Sequence, residues 1–118
     1  PIYDKRPMSL HGSAEEIYLR GGSISASLIE WIIDEHPTPV PQQGEVTTFR
    51  RRTPAESELS NLARLDDLHN FIRMLDAEGY PHAFLDHGGF RFTFRHSFRS
   101  TGTVEAAVSI TRTPEGTA

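Results

Sequence analysis

A helix ends and a strand begins within the stretch Ile72-Arg73-Met74-Leu75-Asp76-Ala77-Glu78-Gly79-Tyr80-Pro81-His82-Ala83-Phe84-Leu85. Apolar residues leading into it recur at spacings of three and four, which places them on one side of a helix: Leu65, Leu68, Ile72 and Leu75. Gly79 can adopt the left-handed conformation that ends a helix, and Pro81 prevents the helix from resuming. The stretch therefore predicts a helix over about residues 65–77 that stops abruptly.

Downstream of Pro81, apolar side chains alternate with polar ones. Five rings share one phase of this alternation: Phe90, Phe92, Phe94, His96 and Phe98. His87-Gly88-Gly89 predicts a tight turn before them, and residues 104–110 alternate again after the turn Ser100-Thr101-Gly102. A period of two is typical of half-buried antiparallel strands. We expect a hairpin sheet with one aromatic face.

The first half of the chain predicts a longer helix. Ser13-Ala14-Glu15-Glu16 is a capping box, in which the serine and the glutamate each bond the other residue's backbone amide. Five apolar residues after it are expected to face inward: Ile17, Ile24, Leu28, Trp31 and Ile32. Glu35-His36-Pro37 should end this helix, because a residue before proline avoids the helical region.

A polar connector separates the two helices. Residues 37–44 contain three prolines and predict a stiff, extended segment. Residues 46–51 alternate as in a short strand, and the end of this segment overlaps a loop predicted over residues 50–57. The fold class is therefore α+β, with two helices, a Pro-rich connector and a small antiparallel hairpin sheet.

Composition narrows the possible functions. The chain has 118 residues, enough for one small domain. Its net charge of −4 argues against general nucleic-acid binding, and no apolar run is long enough to span a membrane. The absence of cysteine excludes disulfides and thiolate chemistry, which suits a cytoplasmic protein.

The arginine run is the strongest charge feature. Arginines on a loop can bind a phosphate or diphosphate through paired hydrogen bonds. They can equally be solvated, or paired with Glu56 and Glu58, and the sequence leaves both readings open. The six histidines show no metal-ligand spacing, and no serine lies in a nucleophile motif, so we predict no metal site and no catalytic constellation.

Several segments occur in an order that resembles a known enzyme family. They are Pro1-Ile2-Tyr3, residues 13–18, Pro41-Gln42-Gln43-Gly44-Glu45, residues 49–57 and residues 72–84. Together they resemble the C-terminal part of the N-formyltransferases that use N10-formyltetrahydrofolate, a group that includes methionyl-tRNA formyltransferase and the nucleotide-sugar N-formyltransferases. The form of residues 72–84 and the short tail resemble the sugar branch more than the tRNA branch.

The resemblance implies a function for a longer protein. In that family the catalytic Asn, His and Asp, and the formyl-folate site, precede the position that matches Pro1, so this chain should be inactive alone and bind no cofactor. The full-length enzyme would transfer a formyl group to the amine of a nucleotide-linked aminosugar. This chain would supply a homodimer surface and sugar-nucleotide contacts, for which the resemblance suggests Arg51, Arg52 and Ser57.

The expected organisation has four parts. Residues 1–36 are a strand end and the long helix of the formyltransferase core, and residues 37–61 are the connector and arginine loop. Residues 62–112 form a helix with the hairpin sheet, and residues 113–118 form a tail. The chain begins without an initiator Met, which fits Met removal or a piece of a longer protein, and the resemblance favours the second. Two alternatives stay open: a non-catalytic dimerisation module of the same fold, and part of a methionyl-tRNA formyltransferase.

Overall fold

A computed structural model describes residues 2–114. The helices are α1, Ala14–Glu35, and α2, Leu65–Met74, with a short 3-10 helix at Pro54–Ser57 between them. The strands are β1, Phe84–His87, β2, Phe90–Ser100, and β3, Thr103–Arg112, and they form one antiparallel sheet in the order β1-β2-β3. The predicted α+β fold is confirmed. Most of the predicted tail, residues 115–118, lies outside the described residues.

The capping box of α1 forms as predicted. The Glu16 amide donates to Ser13 Oγ at 3.3 Å, and the Ser13 amide donates to Glu16 Oε2 at 3.3 Å. The helix ends at Glu35, also as predicted, but His36 adopts a left-handed conformation (φ 46°) rather than an extended one. Of the residues expected to face inward, Ile17 is buried, whereas the other four are only half-buried.

Helix α2 ends at Met74, three residues earlier than predicted. The Leu75 amide donates to the Ile72 carbonyl and the Asp76 amide to the Arg73 carbonyl, both at 3.3 Å, and such i to i−3 bonds tighten a last turn. Gly79 does take a left-handed conformation (φ 80°), but in the turn that follows the helix rather than at its cap. The tightened turn directs Leu75 into the core.

A β-bulge interrupts the alternation of β2. Phe94 pairs with Val108, but the register shifts between Arg95 and Phe98, so that Phe98 pairs with Glu105. Because Val108 and Glu105 are an odd number of residues apart, Phe94 and Phe98 lie on opposite faces of the sheet. The expectation that all five rings share one face is therefore wrong for Phe98. His96, inside the bulge, has a positive φ of 53°.

The core lies between α2 and the sheet. Its buried centre consists of Ile72, Leu75 and Ala83, with exposed fractions of 5% or less. Half-buried apolar residues surround this centre: Leu59, Leu68, Phe71, Phe94, Val104 and Ala106. The Asp76 carboxylate accepts a hydrogen bond from the His96 amide at 2.9 Å, so the end of α2 is tied directly to the bulge.

Helix α1 is bonded to the turn after α2 at its start and exposes apolar side chains farther along. The Glu15 amide at the start of α1 donates to the Asp76 carbonyl at 3.1 Å, whereas Leu19, Ile29 and Ile33 farther along the helix are exposed. The short strand expected over residues 46–51 is absent: within residues 2–114, no backbone group pairs with this segment. No helix within residues 2–114 is long and apolar enough to cross a membrane.

Candidate functional site

The arginine loop borders a cavity of about 430 Å³. Its lining residues are Arg51, Arg52, Thr53, Ser57, Leu75, Tyr80 and Pro81. The structure thus brings together the three residues suggested for diphosphate contact, beside the turn that follows α2. This volume lies within the range of about 300–1,000 Å³ that is usual for small-molecule pockets.

The hydroxyl of Ser57 already has an intramolecular partner. Ser57 is 2% exposed, and its Oγ donates to the Pro81 carbonyl at 2.8 Å. A hydroxyl has one proton to donate, so this bond leaves only its acceptor capacity. Ser57 therefore fixes the wall of the cavity by holding the arginine loop against the turn at Pro81.

Glu56 compensates two of the three arginines. Its Oε1 accepts from Arg50 at 2.6 Å, and its Oε2 lies 3.8 Å from Arg52 Nε. The hydrogen bond from Arg50, followed by one from the Thr53 amide, lowers the pKa of the Glu56 carboxyl. Arg52 also donates to the Glu56 carbonyl at 3.0 Å. For these two arginines the loop is ion-paired, the second of the two readings that the sequence allowed.

Arg51 differs from its neighbours. Within residues 2–114 it has no ion-pair or hydrogen-bond partner, and it is exposed at the cavity. A guanidinium with free donors beside a cavity can take a phosphate or carboxylate in bidentate geometry. Arg51 is thus the group of this loop best placed to bind an anion.

Tyr80 also lines the cavity beside the arginine loop, and the sequence did not identify it as a site residue. Its ring packs edge-to-face against Tyr18 with centroids 5.6 Å apart, and the two hydroxyls are hydrogen-bonded. That hydrogen bond raises the pKa of the Tyr80 hydroxyl. The two residues are 62 positions apart in the chain, so no local pattern could have indicated that α1 contributes to this side of the molecule.

A second cavity, of about 520 Å³, lies between the start of α1, one side of α2 and the bulge of β2. It is lined by His11, Gly12, Ser13, Glu16, His69, Asn70, Arg73, Asp76, His96, Ser97 and Phe98. Several of these groups hold the structure together: His69 Nδ1 bonds Ser97 Oγ at 2.7 Å, and Arg73 donates to the carbonyls of Leu10 and Gly12. Within the described residues, no cluster of three or more His, Asp or Glu side chains could hold a metal ion.

His69 makes folding stability depend on pH. Burial, followed by the charges of Arg73 and Arg99, lowers the pKa of its imidazole from 6.5. The unfolded chain therefore takes up a proton first as the pH falls, so the stability contributed by His69 is present above pH 6.5 and is lost below it. We expect wild-type protein to lose more stability than His69→Asn between pH 7 and pH 5, as measured by urea unfolding. Parallel pH curves for the two proteins would contradict this assignment.

Comparisons with known proteins show similarity to a protein family and to a solved structure. Residues 54–111 match the family described as "Methionyl-tRNA formyltransferase, C-terminal domain". The structure of methionyl-tRNA formyltransferase from Clostridium thermocellum is similar, with a TM-score of 0.88 and 38% sequence identity over 94% of this chain. The chain spans 49% of the length of that enzyme. No curated protein matches.

Proposed function

We propose, from the premise that this chain has the formyltransferase C-terminal fold, that it is the C-terminal portion of a sugar N-formyltransferase. The full-length enzyme would transfer a formyl group from N10-formyltetrahydrofolate to the amine of a nucleotide-linked aminosugar. The part of the enzyme represented here would contact the nucleotide diphosphate and contribute to a homodimer.

Arg51 carries this proposal. It is the arginine of the loop whose charge has no described counterion, and it borders a cavity large enough for a small ligand. Tyr80 adds an aromatic wall to the same cavity, as a ligand with a planar base would favour. A diphosphate between Arg51 and this wall would leave the ion pairs of Glu56 intact.

The exposed side of α1 supports the proposal that this chain is part of a larger enzyme. Leu19, Ile29 and Ile33 recur at helical spacing, and their side chains are 57–71% exposed. Such an apolar stripe is unfavourable in water unless another surface covers it. A catalytic half that packs on this stripe would cover it and would join α1 to the formyltransferase core.

No residue of this chain is assigned to the folate or to the transfer step. Two of the titratable groups that line the larger cavity already have internal partners: Asp76 accepts from the His96 amide, and His69 bonds Ser97. When bound in the full-length enzyme, the folate would supply the formyl group. The residues described here would position the acceptor and hold the fold.

Methionyl-tRNA formyltransferase is the second candidate. It is supported by the name of the matching family and by that of the similar enzyme from Clostridium thermocellum. The net charge of −4 favours the sugar substrate, because a tRNA surface repels an acidic protein. The two candidates differ in the acceptor, so binding and activity with each acceptor distinguish them.

Arg51→Ala should weaken diphosphate binding by about 10- to 150-fold, since a charge-assisted hydrogen bond contributes roughly 1.5–3 kcal/mol. The measurement is isothermal titration calorimetry of the 118-residue chain with UDP and with dTDP at low salt. Arg50→Ala is the matched control, because Arg50 belongs to the same loop but bonds Glu56 and does not line the cavity. Equal losses in both variants would indicate a general charge effect and would contradict the assigned role of Arg51.

A further inference from the structure

The segment from Glu45 to Arg52, which we call the strap, has backbone groups that could pair with a neighbouring strand. It forms neither helix nor strand, and within residues 2–114 its backbone makes no hydrogen bond to another backbone group. Val46 and Phe49 are 92% and 87% exposed, although both are large and apolar. The strap contains no proline, so all its amides can pair with a neighbouring strand.

Strand β3 offers an unpaired edge of similar length. It is the last strand of the sheet, and within the described residues no strand pairs with its outer side. Natural edge strands are usually protected by charges, prolines or bulges. Residues 106–111 of β3 carry no charge and no proline, while Val108 and Ile110 are exposed. An edge of this kind accepts an added strand.

The charges of the strap and of β3 are complementary. The strap begins with Glu45 and ends, seven residues later, with Arg52. Strand β3 contains Glu105 and, seven residues later, Arg112. In an antiparallel arrangement these equal spacings place Glu45 opposite Arg112, and Arg52, which is also paired with Glu56, opposite Glu105.

The same register also matches apolar side chains. It places Phe49 opposite Val108, on the sheet face that already carries Phe92 and Phe94. Side chains directly opposite each other in an antiparallel pair lie about 4.5–5.5 Å apart at Cβ, so Phe49 would cover the exposed Val108. Thr48 then lies opposite Ser109 on the other face, and both residues are exposed.

We propose that the strap of one protomer adds as an antiparallel strand to the β3 edge of a second copy, and that the exchange is reciprocal. Each sheet would then contain four strands, and each strap would gain backbone partners. The inference rests on the homodimer of the proposed function but not on its sugar substrate. The charge complementarity and the two unpaired elements of one chain favour a second copy as the occupant.

Engineered cysteines test the register, because the chain has no cysteine of its own. Opposite residues of an antiparallel pair are within reach of a disulfide. The double variant Thr48→Cys/Ser109→Cys should, on mild oxidation, migrate as a covalent dimer of twice 13.3 kDa, whereas each single variant should stay monomeric on a non-reducing gel. Sedimentation of the reduced wild-type chain should show the same dimer.

Other outcomes would overturn the proposal. A covalent dimer of Ser109→Cys alone would mean that two β3 edges pair with each other, and one of Thr48→Cys alone would mean that two straps pair. An intrachain disulfide in the double variant would mean that the strap binds its own sheet. A wild-type chain that sediments as a monomer at all concentrations would exclude the exchange.

Reversing the charges of the Glu45–Arg112 pair tests the same register independently of the disulfides. Arg112→Glu should weaken the dimer severalfold by placing two carboxylates opposite each other. Glu45→Arg/Arg112→Glu should restore it, because the pair is then reversed. Neither residue has a described ion-pair partner within the protomer, so both changes should leave the monomer's fold intact. Failure of the double variant to restore the dimer would contradict the register.

Discussion

Ile72→Ala is expected to lower the free energy of unfolding by about 2–5 kcal/mol, the largest loss among the substitutions considered. Ile72, a residue of α2, is 2% exposed and lies at the centre of the core between this helix and the sheet. Removing its side chain loses buried apolar surface and leaves a cavity that this small core has few residues to fill. Urea unfolding followed by circular dichroism measures the effect.

Ile33→Ala is the matched control for that substitution. Ile33 lies on the exposed stripe of α1, with 63% of its surface accessible, so the same truncation should change stability by less than about 0.5 kcal/mol. The assigned core would be wrong if the two variants lost equal stability. If only Ile33→Ala were strongly destabilising, α1 would be covered in solution, for example by a second copy.

Ser57→Ala should lower the free energy of unfolding by about 1 kcal/mol, because it removes the hydrogen bond that the buried Ser57 hydroxyl donates to the Pro81 carbonyl. Ser60→Ala is the control: its exposed hydroxyl bonds only the nearby Glu58, so a loss below about 0.5 kcal/mol is expected.

The same variant separates a structural role of Ser57 from a role in binding. If the hydroxyl fixes the arginine loop, Ser57→Ala loses stability, and UDP or dTDP binding falls only as far as the loop moves. If the hydroxyl contacts the ligand directly, binding falls while unfolding is unchanged. That second result would contradict the role given to Ser57 here and would support the contact that the resemblance implies.

The sequence predicted those elements whose causes are local. Helix α2 follows from apolar spacing, the start of α1 from its capping box, and the hairpin from Gly88-Gly89 between alternating runs. The bulge could not be predicted, because it includes a hydrogen bond from the His96 amide to the carboxylate of Asp76, which lies twenty residues away in the chain. The extra residue in β2 places Phe98 on the other face of the sheet, where it lines the larger cavity.

The three residues suggested for the site lie close together, and their role in binding stays a prediction. The sequence indicated the loop that contains Arg51, Arg52 and Ser57, and these residues do border one cavity. The sequence left open which arginines are ion-paired, because that depends on the 3-10 turn that directs Glu56 back toward Arg50. The strap shows the opposite case: its period of two predicted a strand, but a strand also needs a neighbour.

Formyl transfer by the polypeptide produced from the natural coding region tests the central claim most directly. The assay supplies N10-formyltetrahydrofolate with either an aminosugar nucleotide or methionyl-tRNA. Our account predicts formylation of the sugar amine, reduced by Arg51→Ala and unaffected by Arg50→Ala. Formylation of methionyl-tRNA alone would contradict the sugar substrate while leaving the formyltransferase assignment in place. No transfer to either acceptor would contradict the enzyme itself.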